Sequence, residues 1–521
     1  MSDRETIRPA INPWIIAITV MLSTFMEVLD TSIVNVSLPH IAGSLSATVT
    51  EATWVLTSYL VANAIVLPIT GWLGNHFGRK RLLITAVSGF TIASLLCGLA
   101  PTLPALVLFR VLQGAFGGSL QPISQAVLLE TFPPEERGKA MGFWGIGIVV
   151  APILGPTLGG WLTYAYSWRW VFYINLPIGI ASVIMTTLFL FDPPYIKRQE
   201  GGVDFWGLGM LAVGIAALQI MLDKGQEADW FGAHYIVLLF AVAMIALIAF
   251  VIRELTARHP IVHLRVFTNR TYATGVFLMT LLGFVLYGSL VLLPIFLQTL
   301  LNYTAVAAGI WTAPRGIGSL IFMPVCGILL GKRWDSRGLL IFGLILGSLA
   351  LFAFSRFTLV SGPWDFFWPQ FLQGAGMAFV FVPLTTVTMD PIPNAEMGNA
   401  TALFNLMRNI GGSVGIAFVT TLLARRQQFH QVRLGADLTM SAPNVHQMLL
   451  AMQQRFMAHG ADLVTAGQRA LAALYALLQQ QAYLLSFVDN FWLLAVVFLA
   501  MAPLVLLMRK PRAGRGPIAG H

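Results

Sequence analysis

Two carboxylates lie inside an otherwise apolar stretch of the chain, "FMEVLDTSIVNVSLP", residues 25–39. Glu27 and Asp30 are three residues apart, so in a helix they share one face. A charged side chain at the centre of a bilayer costs roughly 2.5–3.5 kcal/mol on insertion scales, and such residues usually have a partner or a function. Because burial and neighbouring charges change the protonation of a carboxylate, the pattern indicates reversible protonation as the chemistry of this stretch.

A third buried charge is predicted at a similar depth. Arg110 lies seven residues after Leu103, where we predict that a helix begins, and Asp30 lies six residues before Val36, where we predict that the first helix ends. At about 1.5 Å per residue, both lie roughly 10 Å below the same membrane surface. We therefore predict an Asp30–Arg110 contact, with Asp30, Glu27 and Arg110 as proton-coupling residues. A static ion pair that fixes helix packing is the alternative.

The elements that must hold these residues are membrane-spanning helices. The 521-residue chain is 57% hydrophobic and 10% charged, whereas ordinary soluble domains have about 25% charged residues. Apolar runs of about 20 residues, long enough to cross a hydrocarbon core of ~30 Å as helices, recur along the chain. The predicted fold class is an all-α integral membrane protein with fourteen transmembrane helices, at residues 14–36, 51–73, 82–100, 103–128, 140–163, 169–191, 205–222, 235–252, 272–298, 304–330, 338–356, 366–389, 399–423 and 489–508.

The positions of the basic residues predict the orientation. Lys and Arg cluster in the loops that lie on the same side of the membrane as the N-terminus, which predicts that both termini are cytoplasmic. No cleavable signal peptide is predicted, because the first apolar run is too long for a signal core. The net charge of +9 is explained by this topology and by contact with anionic lipid headgroups, so no nucleic-acid partner is predicted.

Two absences limit the function classes. Cys97 and Cys326 fall within predicted spans and give neither a disulfide framework nor a metal-ligand spacing, so we predict no metal and no cofactor. "GILLGKR" from Gly327 is not a phosphate-binding loop, because three residues rather than four precede "GK" and Arg333 stands in place of Ser or Thr. With no nucleophile elbow or metalloprotease motif in the sequence, an enzyme or an ATP-driven pump is not favoured.

The chain repeats itself. "RVLQGA" from Arg110 returns as "QFLQGA" from Gln370, an offset of 260 residues (370 − 110), and "GWLGNHFGRKRLL" from Gly71 returns as "GILLGKRWDSRGLL" from Gly327, an offset of 256 (327 − 71). The similar offsets predict a duplicated six-helix unit with two helices inserted between the copies, although glycine-rich apolar segments also resemble one another by chance. The predicted organisation is a cytoplasmic N-terminus at 1–13, a six-helix half at 14–191, two inserted helices at 192–271, a second half at 272–508 that includes an external segment at 425–488, and a cytoplasmic tail at 509–521.

The external segment 425–488 is rich in Gln and Ala and contains amphipathic stretches such as "VHQMLLAMQQRFMAHG". We predict helices here, because apolar residues at helical spacing need a partner surface. A segment of this length outside the membrane is often functional; a simple connector is the alternative.

Small residues and prolines mark another helix. Gly147, Ala151, Gly155 and Gly159 recur at every fourth position and make a smooth face for close packing, while Pro152 and Pro156 lack backbone donors. Together they predict a kinked helix at a moving interface, with static packing as the alternative. The basic loop after Gly71 has glycines for tight turning, and topology alone would explain its charges.

Two further arginines, Arg315 and Arg408, also lie in predicted spans. Asn405 and Asn409 are close to Arg408 on the same helix and are predicted to share its hydrogen bonding. A purely structural role for this group is equally consistent with the spacing.

Several of these stretches resemble motifs of one family. "GWLGNHFGRKRLL" is similar to the loop motif of the major facilitator superfamily, "LVLFRVLQGAFGG" to its fourth-helix arginine motif, and "APILGPTLGGWL" to the fifth-helix motif of its antiporters. "LDTSIVNVSLP" and "WRWVFYINLPIG" resemble signatures of its fourteen-helix drug:proton antiporters, and in particular of EmrB-type multidrug exporters. The resemblance covers residues 14 to about 420 and the last helix.

The resemblance implies the fold, export and exchange for protons. It implies proton coupling at Asp30 and Arg110, whereas Glu27 is not a motif position. A gating loop is implied at Gly71, Gly74, Asn75, Gly78, Arg79 and Lys80, and an antiporter hinge at Pro152, Gly155, Pro156, Gly159 and Gly160. Asn75 stands where the motif usually has Asp. The resemblance also implies the bacterial inner membrane, a periplasmic adaptor protein and, through it, an outer-membrane channel.

The leading hypothesis is a proton-driven exporter of amphipathic drugs or toxic compounds. Aromatic, Met and amide side chains near the bundle centre suit large apolar ligands. The predicted pocket residues are Phe25, Met26, Gln113, Gln121, Trp144, Tyr287, Gln373, Asn405 and Arg408. A narrow-specificity transporter of one metabolite, such as a sugar or a siderophore, is the alternative that the same fold permits.

Overall fold

The computed structural model describes residues 12–192, 204–257, 260–332, 334–436, 438–439 and 442–508. In this part of the chain the regular structure is entirely helical, and fourteen helical segments are long and apolar enough to cross a membrane. The predicted all-α fold class is confirmed. Most of the predicted N-terminal segment, residues 193–203 and the predicted tail 509–521 lie outside the described residues.

The first half of the bundle begins with a capped helix. The side chain of Asn12 accepts a hydrogen bond from the backbone N–H of Trp14, and Pro13 occupies the first turn, where a missing N–H has no cost. The helices of this half are α1 Pro13–Ser44, α2 Val49–Ala52, α3 Trp54–Val66, α4 Thr70–Phe77, α5 Arg79–Leu99, α6 Leu103–Gly117, α7 Leu120–Thr131, α8 Arg137–Ala165, α9 Trp170–Tyr173 and α10 Asn175–Phe189, with a 3-10 turn at Leu67–Ile69.

Two helices follow between the halves, α11 Phe205–Lys224 and α12 His234–Thr256, with 3-10 turns at Trp230–Gly232 and Leu264–Thr268. They pack against each other, and α11 also contacts both halves. Lys224 Nζ donates to Thr53 Oγ1 (2.8 Å) next to α3, and Ser413 Oγ of the second half donates to Gln219 Oε1 (2.9 Å). The inserted pair therefore lies along the seam between the two halves.

The second half has longer helices. They are α13 Arg270–Thr299, α14 Ala305–Thr312, α15 Pro314–Gly331, α16 Ser336–Phe354, α17 Pro363–Met389, α18 Met397–Ala436, α19 Pro443–Ala458 and α20 Leu463–Val505, with a 3-10 turn at Asn394–Glu396. Two six-helix halves with two inserted helices are thus present. The halves meet where α8 packs against α15 and where α4 and α7 pack against α18.

Three predicted boundaries are wrong. The first helix continues past Val36 and through Pro39 to Ser44, so the depth estimated for Asp30 used the wrong helix end. Most of the predicted external segment is continuous with two spans, because α18 runs to Ala436 and α20 begins at Leu463. Gln and Ala favour helix even where the sequence is no longer apolar, so the loss of hydrophobicity did not mark the helix ends.

Charged side chains connect α18 and α20 after residue 425. Arg426 Nε donates to Asp489 Oδ2 (2.6 Å), and His430 Nε2 lies 2.7 Å from the same oxygen. These contacts join α18 to α20, and α19 packs on α20.

Candidate functional site

The first helix directs both of its carboxylates into the bundle. Glu27 is 3% exposed and Asp30 is 0% exposed, and α1 packs against α7, α8 and α10. Both acids therefore lie in protein, away from lipid, as charges within a membrane require. They nevertheless have different partners.

Asp30 belongs to a buried ion pair within the first half, in which both carboxylate oxygens accept hydrogen bonds. Arg110 Nη1 donates to Asp30 Oδ2 at 2.6 Å, while Gln113 Nε2 (2.9 Å) and Asn175 Nδ2 (2.7 Å) donate to Oδ1. The guanidinium also donates from Nε to the carbonyl oxygen of Val55 (3.0 Å). The predicted Asp30–Arg110 contact is present, and charge-assisted bonds of this kind are the strong ones.

Glu27 has neutral partners instead. Its Oε1 accepts from Tyr59 Oη (3.2 Å) and Asn63 Nδ2 (3.1 Å), and its Oε2 accepts from Gln121 Nε2 (2.5 Å). Among the described residues Glu27 forms no ion pair. The two acids therefore share a helix but not a cation.

The second half reaches Glu27 through a glutamine. Arg408 Nη2 on α18 donates to Oε1 of Gln121, the residue whose amide nitrogen bonds to Glu27. Gln121 thus connects a carboxylate of one half with a guanidinium of the other. We call the chain Glu27–Gln121–Arg408 the interhalf relay.

A second polar contact lies beside the relay. Asn405 Nδ2 donates to Gln125 Oε1 (2.5 Å) across the interface, and Thr401 Oγ1 donates to the carbonyl oxygen of Pro122 (3.0 Å). The prediction that Asn405 shares the hydrogen bonding of Arg408 is therefore wrong. Asn409 Oδ1 does lie 3.5 Å from Arg408 Nη2, a long contact.

The second half contains a polar cluster of its own. Arg315 Nη2 on α15 donates to Ser289 Oγ (3.1 Å) on α13 and to Gln373 Oε1 on α17. Gln373 Nε2 also donates to Ser289 Oγ (3.2 Å). All three side chains are buried, and no carboxylate of the described residues pairs with Arg315.

The predicted pocket residues are divided among these clusters. The amides of Gln113, Gln121 and Gln373, with Asn405, are engaged by charged or polar neighbours, so they do not line one wall together. Trp144 is buried, donates from Nε1 to Thr24 Oγ1 (3.2 Å) and stacks on Phe381 of the other half at 6.2 Å between ring centroids. Met26 is buried in the same core, whereas Phe25 and Tyr287 are half-buried.

The predicted gating loop is mainly a helix end. Gly71, Gly74 and Asn75 lie in α4, and the turn is confined to Gly78, whose φ of 88° suits glycine. Gly71 lies against the second half, since a Cβ there would be 2.6 Å from Asn399 Cα. This close approach holds the two halves together at one end of the bundle.

The basic residues of this turn have acidic partners that the sequence did not indicate. Arg79 Nη1 forms an ion pair with Glu130 Oε2 at the end of α7. The backbone N–H of Lys80 donates to Asp192 Oδ1 (2.8 Å), and Lys80 Nζ donates to the carbonyl oxygen of Thr187 (2.6 Å). The missing Asp at position 75 therefore does not leave Arg79 without a carboxylate.

The predicted hinge lies where α8 crosses α1. A Cβ at Gly155 would be 2.3 Å from Ser32 Oγ, and one at Gly159 would be 2.7 Å from the carbonyl oxygen of Ile33. Pro152 and Pro156 stand inside one continuous helix, and Gly160 has only distant neighbours, Val36 and Val306, at 3.9 Å. The small residues therefore provide close packing, and movement at this site stays a prediction.

A bundle of fourteen spanning helices in two similar halves, with buried charges inside each half and between them, defines a multi-pass membrane transporter. The chain belongs to the Major Facilitator Superfamily, whose family model matches residues 20–416. It is a transporter, as the sequence indicated, and not an enzyme.

The chain is also similar over its full length to curated export and resistance proteins. It is 37% identical to the fatty acid resistance protein FarB of Neisseria gonorrhoeae, with 100% of both chains covered. It is 37% identical to the multidrug export protein EmrB of Escherichia coli K12, with 97% of this chain and 98% of that protein covered. The predicted resemblance to EmrB-type exporters is confirmed.

A solved structure has the same fold. The proton:xylose symporter XylE superposes with a TM-score of 0.61 at 15% sequence identity, with 96% of each chain covered. Identity at this level supports the fold alone.

Proposed function

We propose that the chain is a proton-driven antiporter that exports hydrophobic and amphipathic compounds by alternating access. The observation that carries this proposal is the interhalf relay. Asp30 is neutralised inside its own half by Arg110, whereas Glu27 is connected to the other half through Gln121 and Arg408. Glu27 is therefore the acid whose protonation acts directly on the contact between the halves.

The charges of the two clusters balance in the structure. Asp30 is matched by the guanidinium of Arg110 in one cluster, and Glu27 by the guanidinium of Arg408 through Gln121 in the other. Protonating Glu27 leaves one uncompensated positive charge beside an interface, and an unpaired charge in a low-dielectric site is costly. Separation of α7 from α18 would let water reach Arg408, so proton binding favours the state in which this contact is open.

The driving force is sufficient for export. One elementary charge that crosses a membrane potential of 100 mV releases about 2.3 kcal/mol. At 1.4 kcal/mol per tenfold change, this energy supports a concentration ratio of roughly 50 per proton. The full-length relatives are named for multidrug export and fatty acid resistance, and these names support hydrophobic and amphipathic compounds as the cargo.

The test is transport in proteoliposomes that contain the purified chain. We expect Glu27→Gln to abolish drug uptake driven by a pH gradient while drug–drug exchange continues, because exchange does not need the proton step. Asp30→Asn should impair both reactions, since it leaves Arg110 buried without a counterion. Glu51→Gln is the matched control, because Glu51 is exposed and bonds only to Thr48.

The opposite result would contradict the assignment. If Glu27→Gln retains gradient-driven uptake at the wild-type rate, the interhalf relay does not carry the proton. A panel of sugars and siderophores in the same assay distinguishes a drug exporter from a narrow-specificity metabolite transporter, because only the latter would exclude most amphipathic compounds.

A partner outside the membrane is part of the proposal. The helical extension after residue 425 exposes large apolar side chains, including Val432 (75%), Leu463 (63%) and Val464 (69%). Exposed apolar positions beyond the spanning segments suit a protein contact, and we propose a periplasmic adaptor that leads to an outer-membrane channel. Co-expressed with the adaptor of its own cell, V432D/V464D should lose co-purification, whereas an exposed polar change such as Gln428→Ser should retain it.

The orientation belongs to the same proposal. We place the protein in the inner membrane with both termini in the cytoplasm, and the halves at 14–191 and 272–508 on either side of the insert 192–271. The basic residues Arg79, Lys80 and Arg81 then lie on the cytoplasmic side, as their positive charge favours. Reporter fusions after Ser44 and after Phe189 should report periplasmic and cytoplasmic positions, respectively.

A further inference from the structure

Among the described residues, one buried arginine has no carboxylate as a direct partner or one amide away. The described part of the chain contains four buried arginines, Arg79, Arg110, Arg315 and Arg408. Arg79 and Arg110 pair directly with carboxylates, and Arg408 bonds to the amide that also binds Glu27. Arg315, which is 3% exposed, bonds only to the neutral side chains of Ser289 and Gln373.

The guanidinium of Arg315 is also incompletely bonded. Its Nη2 makes both of these hydrogen bonds, while its Nε and Nη1 are buried and have no hydrogen-bond partner. A buried cation that lacks a counterion is strongly destabilising, and an unsatisfied buried donor adds to that cost. Arg110 Nη2 and Arg408 Nε are also without a hydrogen-bond partner, but those guanidinium groups have a carboxylate as a partner or one amide away. The free donors of Arg315 have no such carboxylate among the described residues.

Comparison with the Asp30–Arg110 cluster of the first half shows which group is missing. Gln373 corresponds to Gln113 at an offset of 260 residues (373 − 113), and the same offset places the neutral Gln370 at the position of Arg110 (370 − 110). Ser289 lies on α13, the first helix of its half, as Asp30 lies on α1. In the first half the cluster therefore holds a guanidinium, an amide and a carboxylate, and in the second half it holds a guanidinium, an amide and a hydroxyl. The guanidinium of the second cluster thus comes from a different position of the repeat, on α15, and no carboxylate of the described residues belongs to this cluster.

We infer that Arg315, together with Ser289 and Gln373, binds the anionic group of an exported compound, such as a carboxylate or an ionised phenol. The inference rests on the proposed export function and names a charge class for its cargo. The free Nε–H and Nη1–H groups are charged donors, and the oxygens of an anion are acceptors that form charge-assisted hydrogen bonds with such donors. The anion of the cargo then supplies the counterion that Asp30 supplies to Arg110.

The position of α15 gives this cluster a route to the space between the halves. Gly316, the residue after Arg315, lies against the first half, since a Cβ there would be 2.4 Å from Ile153 Cδ1 on α8. Gln373 lies on α17, which packs against α15, and Ser289 lies on α13, which reaches α15 through the hydrogen bond from Arg315. Separation of α8 from α15 during alternating access would open the cluster toward the central space.

The experiment measures equilibrium binding with two probes of equal chain length, dodecanoate and methyl dodecanoate, to the full-length protein in lipid nanodiscs. We expect Arg315→Gln to weaken dodecanoate binding by about tenfold or more, the range for a lost charge-assisted hydrogen bond. Binding of the uncharged ester should change by less than about twofold, because the ester forms no ion pair. Arg315→Lys retains the charge and should recover most of the affinity for dodecanoate.

Controls separate a binding role from a folding role. Arg356→Gln removes an exposed arginine of the same half, which lies over the Phe352 ring, and should leave the binding of both probes unchanged. Thermal unfolding of each variant checks its integrity. Equal weakening of acid and ester in Arg315→Gln, or unchanged binding of both, would overturn the inference. If the glutamine variant does not fold, Ser289→Ala provides the comparison, because it removes a hydroxyl of the same cluster and should weaken binding of the acid more than binding of the ester.

The binding experiment can fail independently of the transport experiment that tests the export proposal. Binding is measured without a gradient, so Glu27→Gln should lose gradient-driven transport and still bind dodecanoate. If the chain is not a proton-driven exporter, transport fails while the difference between acid and ester at Arg315 persists. If Arg315 is not an anion site, transport of uncharged cargo remains and that difference disappears.

Discussion

The hydroxyl of Ser32 on α1 donates a hydrogen bond to the carbonyl oxygen of Pro152 on α8, at 2.9 Å. In an α-helix that carbonyl would accept from the N–H of residue 156, but Pro156 has no N–H. Ser32 therefore replaces the hydrogen bond that the second proline removes. The proline motif of α8 is completed by a residue on a neighbouring helix.

This relationship predicts a coupled pair of mutations. Ser32→Ala leaves the Pro152 carbonyl oxygen without a donor and should lower the thermal unfolding temperature, with a cost of about 1–3 kcal/mol for an unsatisfied buried group. Pro156→Ala restores the helical N–H, so Ser32→Ala should cost less in that background. A double-mutant cycle in detergent measures the coupling, and purely additive effects would mean that Ser32 does not serve this carbonyl.

The close contact of Gly71 with Asn399 predicts that adding one methyl group at residue 71 opens the interface between α4 and α18. In Gly71→Ala the new Cβ would lie 2.6 Å from backbone atoms of Asn399, which cannot move aside as a side chain can. We expect faster alkylation of a cysteine placed at Thr401, which is buried at 0% exposure in this interface, in a background lacking Cys97 and Cys326.

The matched control for this measurement is Gly209→Ala on α11, where an added Cβ meets nothing within 4 Å. It should leave the alkylation rate unchanged. If Gly71→Ala also leaves Thr401→Cys protected, the α4–α18 contact does not close this end of the bundle.

The Arg79–Glu130 ion pair predicts rescue by charge reversal. Both side chains are buried, at 3% and 5% exposure, so removing one partner leaves a buried unpaired charge. Glu130→Gln and Arg79→Gln should each reduce transport and stability strongly. The double variant R79E/E130R should be more stable than the single reversal Arg79→Glu, and the absence of any such recovery would exclude a direct charge contact as the main interaction.

The start of α11 predicts a pH-dependent stability. Arg253 donates two hydrogen bonds to Asp204 (2.9 and 3.1 Å), and this interaction lowers the pKa of the Asp204 carboxyl below its ordinary value of 3.8. A lowered pKa stabilises the fold at pH values above the unfolded-state pKa, and the stabilisation is lost as the pH falls through the folded-state pKa.

We therefore expect Asp204→Asn to lower the unfolding temperature at pH 7, and the difference from wild type to shrink as the pH falls below about 4. The asparagine can still cap the helix by accepting from the Gly207 N–H, as Asp204 does at 3.2 Å, so the variant isolates the charge. A difference that is constant from pH 7 to the acid range would show that the ion pair contributes nothing.

The rarity of buried charges was enough to predict one contact of the site, although the depth estimated for Asp30 used the wrong helix end. Asp30 and Arg110 stand out because ionised residues are rare within apolar runs, and they do pair. The partners of Glu27 gave no such signal, because Tyr59, Asn63 and Gln121 are neutral and come from distant parts of the chain. The link from Gln121 to Arg408 spans 287 residues, and only the packing of the two halves reveals it.

The spanning helices themselves were predictable because hydrophobic length is a strong physical requirement. The positions at which these helices end were less predictable. Pro39 inside α1 and the polar, Gln-rich sequence after Arg425 suggested that helices stop there, but both helices continue. Helix ends depend on local capping and on tertiary contacts such as Arg426–Asp489, which hydrophobicity does not report.

Because α18 is continuous, it connects the interface between the two halves with the far end of the helix at Ala436. Arg408 at the interface and the projecting end at Ala436 belong to one 40-residue helix, and about 28 residues at ~1.5 Å each place them roughly 42 Å apart. If the helix behaves as a stiff lever, a tilt of about 10° near Arg408 sweeps the far tip through roughly 7 Å. A protein bound to that tip would be displaced by this distance in each transport cycle.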